Sequence, residues 1–267
     1  MSLFSEIPSQ ALFGRSKELL EAGKSLGEAE SMVEEMLEIV DDPRARLAGY
    51  RLLGALIHKN PSRPDAERLE RSEAAYGEAL RLTSGYDWAS RLSLAIIERE
   101  RGATDEALQH LRAIDISTLD ADSRLTARVM LCRLKREAQA SITVSPSDTA
   151  LSETPRQPPM MISGDVQPPE KIFAPSPQYT SEARRLGLTG LVIFTGSIDR
   201  DGCTDMQLAK ADDERLAAMA TQAVDQWVFE PATLRGKPVP VHYNLSFKMR
   251  ASSMNADIPL LRIDPMY

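Results

Sequence analysis

Two cysteines and three histidines are all that this 267-residue chain offers of the residues that most often hold metal ions. His58, His110 and His242 stand far apart, with no His-x-x-x-His or Cys-x-x-Cys spacing, so no metal site is expected. Cys132 and Cys203 fall in stretches that read as separate domains, so no disulfide is expected and each is read as a core residue. No run of 18 apolar residues occurs, so nothing in the chain as given spans a bilayer. Met1 to Gln10 lacks a basic segment followed by an apolar one, the pattern of an export signal. Basic residues do not predominate: 32 Lys and Arg against 39 Asp and Glu give a net charge of −7, which speaks against a nucleic-acid partner. Gly-x-Ser-x-Gly, a phosphate loop and a dinucleotide fingerprint are all missing. Asp212-Asp213 comes nearest to a catalytic carboxylate pair, and it reads more simply as the start of a helix, where the dipole favours negative charge. No catalytic residue and no cofactor are assigned, and the expectation is a binding protein, not an enzyme.

What is present divides the chain. Its length points to about two domains. Residues 9 to 40 read as two helices, with Leu12, Leu19 and Leu20 on the first and Met32, Val33, Met36 and Leu37 on the second. Ser25 followed by Glu28 reads as a capping box for the second helix. Further pairs are expected over 44–59 with 65–82, divided by Asn60-Pro61-Ser62-Arg63-Pro64, and over 88–101 with 104–114. Glu28-Ala29, Leu53-Gly54 with Tyr76 and Ala79, and Leu94-Ala95 with Ala107, Leu111 and Ile114 recur at spacings similar to the tetratricopeptide repeat. The reading is an all-α array of helical hairpins over 1–140, closed by a capping helix from Ala121 to Ala138. An irregular helical bundle is the alternative.

From Ser141 to Gln167 the composition turns to Ser, Thr and Pro, including Pro146, Pro155, Pro158 and Pro159. Such a stretch has little apolar surface to offset the entropy of ordering, so it is read as a linker. Its prolines favour extended geometry at about 3.1 Å per residue, enough to hold two domains apart.

The last third is the most strongly patterned. Trp227-Val228-Phe229-Glu230-Pro231-Ala232 leads to Gly236-Lys237-Pro238-Val239. Then comes strict alternation of Val241, Tyr243, Leu245, Phe247 and Met249 against His242, Asn244, Ser246 and Lys248. A period of two means a strand with one face buried and one wet. Upstream stand Pro177-Gln178-Tyr179, a short helix ending at Gly187, a strand carrying Val192, Phe194 and Ile198, and the turn Asp199-Arg200-Asp201-Gly202. A helix over Asp213 to Gln226 follows. Gly196 inside the strand suggests a bulge or a close backbone approach. Over 168–250 these features resemble the C-terminal domain of the TonB energy-transducer family.

The resemblance implies an α+β chain whose C-terminal domain has a three-stranded antiparallel sheet packed on two helices, with 251–267 as an extension. It implies peptide binding by strand addition, with Ser176, Pro177, Gln178 and Tyr179 and the strand residues Val241, Tyr243, Leu245 and Phe247 as candidates. Phe194, Ile198, Trp227 and Phe229 are expected in the core, and Tyr179 is expected to pack under the first helix. Implied partners are TonB-box-like peptides of outer-membrane receptors, and a homodimer is compatible with the sequence. The alternative is a soluble or periplasmic scaffold whose array and TonB-like domain are two interaction modules without energy transduction. A periplasmic or envelope location is expected if an anchor or signal is missing from this chain, and a cytoplasmic one otherwise.

Overall fold

The structure, a computed structural model, describes residues 9–142 and 158–250. These fall into two compact units that divide between Asp115 and Ile116.

The first unit holds six helices: α1 (Ser9–Ala22), α2 (Leu26–Ile39), α3 (Pro43–Lys59), α4 (Asp65–Leu82), α5 (Trp88–Arg101) and α6 (Thr104–Arg112). Each packs on the next in sequence. Leu12, Met32, Val33, Met36, Leu52, Leu56 and Ile57 form one core cluster, and Leu69, Tyr76, Leu94 and Ile97 form another. The expected hairpin pairs are present, and their starts follow from local chemistry. Asp42 accepts the Ala45 N–H at 2.9 Å with Pro43 in the first turn, so α3 begins there. Ser25 does not cap α2 as expected, because it sits at φ 49° and its side chain makes no capping bond, whereas a capping residue is extended. Gly54 brings α3 and α4 together: a Cβ there would lie 2.7 Å from the Tyr76 ring, which is fully buried.

Charged groups are set into this unit. Asp87, 3% exposed, accepts the Ser90 N–H at the start of α5 and pairs with Arg51 through Nε at 2.9 Å. Glu30, also buried, takes the Asn60 amide and the Arg63 guanidinium, each at 2.6 Å. His58 Nε2 meets Glu100 at 3.1 Å, yet burial, joined by the charges of Arg68 and Lys59, leaves the His58 pKa lowered.

The second unit begins with a short 3₁₀ turn (Ile116–Thr118) and α7 (Ala121–Ile142). It continues through β1 (Val166–Gln167), β2 (Glu170–Phe173), α8 (Ser181–Arg185), β3 (Thr189–Ile198), β4 (Thr204–Ala211) and α9 (Glu214–Val224). β5 (Val228–Glu230), β6 (Thr233–Leu234), β7 (Lys237–Pro238) and β8 (Val241–Arg250) complete it. The main sheet is antiparallel in the order β4-β3-β8. β2 pairs with β5, and β1, β6 and β7 form a small third sheet. Helix α9 lies against β3 and β4 and buries Leu216, Met219, Ala220 and Val224. Three strands have two faces, so a helix covering one of them is what makes the sheet stable.

The residues expected in the core are there: Phe194 is 1% exposed, Trp227 5%, and Ile198 and Phe229 fully buried. Gly196 marks a close approach, since a Cβ there would lie 2.0 Å from the Asp205 carbonyl oxygen. Asp199-Arg200-Asp201-Gly202 is the β3–β4 turn, with Gly202 at φ 85°. Any side chain at Gly202 would strike the Phe229 carbonyl.

Two expectations are revised. Helix α7, expected to close the hairpin array, belongs to the second unit and contacts β2 and β5. Residues 158–167 are not a spacer: Val166 is buried in the core and pairs with Leu234, and Met160 packs partly buried against the same core. Residues 143–157 of the expected linker and the extension 251–267 lie outside the described residues.

Candidate functional site

Strand β8 is where the site is built. Its burial alternates as the sequence pattern requires, with Val241, Leu245 and Met249 buried and Tyr243 and Phe247 half-buried. Phe247 meets Trp227 edge-on at 5.1 Å and Phe194 at 6.0 Å, while Tyr243 meets Phe229 at 5.4 Å. These contacts anchor the strand on its packed face. Its pairing with β3 runs without interruption from Val241↔Ile198 to Arg250↔Thr189. β8 is therefore an edge strand of its sheet.

Which main-chain groups face outward is fixed by one contact. The His242 N–H donates to the Met160 carbonyl at 2.9 Å, and the Met160 N–H donates to the Pro240 carbonyl at 2.9 Å, a parallel bridge on the side away from β3. Main-chain direction alternates along a strand, so the N–H and C=O of Asn244, Ser246 and Lys248 also point outward. Among the described residues no strand pairs with them. An unpaired row of this kind is a template for another strand.

The second candidate stretch is held near the same core. Trp227 donates its indole N–H to the Pro175 carbonyl at 3.0 Å, and Lys171 lies 4.6 Å above its ring. Pro177 is buried, Ser176 half-buried and Gln178 exposed, with the Gln178 amide reaching the Ser176 carbonyl at 3.5 Å. Tyr179 is 5% exposed and donates to the Leu188 carbonyl at 3.3 Å, and Thr180 caps α8 at the Ala183 N–H. Tyr179 belongs to the core of the second unit, just before α8. Trp227 links the two stretches, since it touches Phe247 on one and Pro175 on the other.

The sequence names Val241, Tyr243, Leu245 and Phe247 on this strand, whereas the outward main-chain groups belong to the alternate residues His242, Asn244, Ser246 and Lys248. The alternation shows which side chains are buried, but not on which side of the strand the neighbour lies. Met160 opens the short apolar run Met160-Met161-Ile162 after Pro158-Pro159, too brief to show a period.

The largest correction concerns the cysteines. Cys132 on α7 and Cys203 beside the β3–β4 turn form a disulfide, 71 residues apart in sequence. Reading α7 as the end of the array is what places them in separate domains. Charges reinforce the bridge. Lys135 is bonded to Asp199 at 2.7 Å and to Asp201, and Arg128 holds Glu230 at 2.7 Å and the Asp201 carbonyl at 3.1 Å. Burial works to lower the Lys135 pKa, but the two aspartates outweigh it and leave it raised. Helix α7 is thus stapled to the turn that begins β4.

Among the described residues no group of three His, Cys, Asp or Glu is placed to hold a metal, and no helix is long and apolar enough to cross a membrane. No curated protein matches the sequence. Residues 175–249, which run from the Trp227-bound Pro175 to Met249 at the end of β8, match the family model described as Gram-negative bacterial TonB protein C-terminal, and the resemblance read from the sequence is borne out over that stretch.

Proposed function

We propose that this chain is a non-enzymatic binding protein that captures an extended peptide by strand addition along the outer edge of β8. The observation that carries this reading is the row of outward N–H and C=O groups at Asn244, Ser246 and Lys248, left without a strand among the described residues. Main-chain hydrogen bonds provide affinity there for any extended segment, and neighbouring side chains provide the choice. The family match supports protein partners, and the finer reading is a TonB-box-like peptide of an outer-membrane receptor, with the chain coupling to transport. Val241, Tyr243, Leu245 and Phe247 position the edge, and Ser176, Pro177, Gln178 and Tyr179 flank Trp227 behind it. The disulfide supports a periplasmic or other envelope location, because such bridges persist in oxidising compartments.

A second reading gives the hairpin array its own role. Residues 9–115 lie outside the matched stretch and pack helix on helix in sequence order, the arrangement of a TPR-type scaffold with a surface for a partner segment. The full chain with its disulfide intact, labelled for NMR and titrated with a TonB-box peptide, tests the first reading. Amide shifts at Asn244, Ser246 and Lys248 are expected. No shift at millimolar peptide removes it.

A further inference from the structure

The edge that would receive a partner is already touched by the chain itself. Met160 makes both bonds of a parallel bridge to β8, with its N–H on the Pro240 carbonyl and its carbonyl on the His242 N–H. Its side chain is half-buried and packs on the core of the second unit. The next residues leave the edge at once: Met161 is 71% exposed and Ile162, 38% exposed, lies in a bend. One residue of a strand is in place, and the outward groups of Asn244, Ser246 and Lys248 continue beyond it.

We propose that the segment around Met160 is a built-in competitor for the peptide-binding edge of β8, so that a partner strand engages fully only by displacing Met160. The inference rests on the strand-addition reading above. A peptide running parallel to β8 in the same register would use the Pro240 carbonyl and the His242 N–H, the groups that Met160 now holds. The chain's own segment has the advantage of being tethered and the handicap of a single paired residue. A longer strand adds a bond at each further outward group. Met160 therefore weakens binding without abolishing it, and it disfavours segments too short to reach Asn244 and Ser246.

The test uses the full chain and a TonB-box peptide as probe. Hydrogen exchange at the Met160 amide is followed in the unmodified protein as peptide is added. Loss of protection at Met160 with gain at Asn244 and Ser246 is expected at saturation; peptide bound with Met160 still protected overturns the proposal. Two variants sharpen it. Met160→Pro deletes the N–H donor and should tighten peptide binding about fivefold, the worth of one net hydrogen bond. Met160→Ala keeps the donor and removes the apolar anchor, so it should tighten binding less. Equal affinity for the unmodified chain and for Met160→Pro, with both binding, sinks the competitor and leaves strand addition standing. Binding by neither sinks both.

Discussion

The two units are held together by different kinds of contact. In the first, every helix packs on its neighbour in sequence, and carboxylates such as Asp87 and Glu30 are buried against arginines. In the second, the decisive contacts join distant residues: Cys132 to Cys203, Arg128 to Glu230, Val166 to Leu234, and Met160 to Val241. An aromatic cluster around Trp227 takes the place of the embedded charges. Local contacts cost little loop entropy to form, and distant ones cost more, so the second unit depends on a covalent tie where the first needs none.

The chain has one tryptophan in each unit, Trp88 and Trp227, so the two can be followed separately. The largest effect should come from Trp227→Ala, which removes a buried ring and its bond to Pro175. About 3–5 kcal/mol should be lost from the second unit, with the first unchanged by segment-resolved hydrogen exchange. Next is the bridge. Replacing both Cys132 and Cys203 by serine should cost the second unit about 2–4 kcal/mol, and a reductant should shift the denaturation midpoint of a Trp88→Phe variant while leaving that of Trp227→Phe in place. If reductant shifts both equally, the units are not independent.

In the first unit, Asp87→Ala strips the cap of α5 and leaves Arg51 without its carboxylate, for about 2–3 kcal/mol, read by denaturation of Trp227→Phe. Gly54→Ala forces a methyl into the Tyr76 ring and should cost about 1–3 kcal/mol by the same measurement. The smallest effect is that of acid. Burial depresses the His58 pKa, so the folded form takes up a proton less readily than the unfolded chain. Its contribution is present above about pH 6.5 and is lost as pH falls below that. His110, also lowered by burial, acts in the same direction. The first unit should therefore lose stability between pH 7.5 and 5.5, and His58→Gln should flatten the slope.

The same contrast explains what could be read from the sequence. The start of α4 and both ends of α5 lie at Pro64, Asp87 and Gly102, residues that act within a few positions, and the expected ranges 65–82 and 88–101 agree. Strand β8 was legible because its alternation is local. The short strands β1 and β2 carry too few residues for a period and exist only through partners far along the chain, while β6 and β7, equally short, pair with each other across Arg235-Gly236. Helix α7 was found and misassigned, because an amphipathic face does not say which core it covers. The bridge from Cys132 and the outward side of β8 were hidden for the same reason.

The bridge also sets a path for mechanical load. A pull that enters at Ile116 runs along α7 to Cys132, crosses to Cys203 and arrives at the start of β4. The covalent path through the sulfurs bypasses the chain between those cysteines, which includes the Ser, Thr and Pro run. A single protease cut within that run would leave the two halves linked, and the pull would still reach the sheet. What the composition suggests as the tether between two domains is, in the oxidised protein, bypassed by a sulfur–sulfur bond.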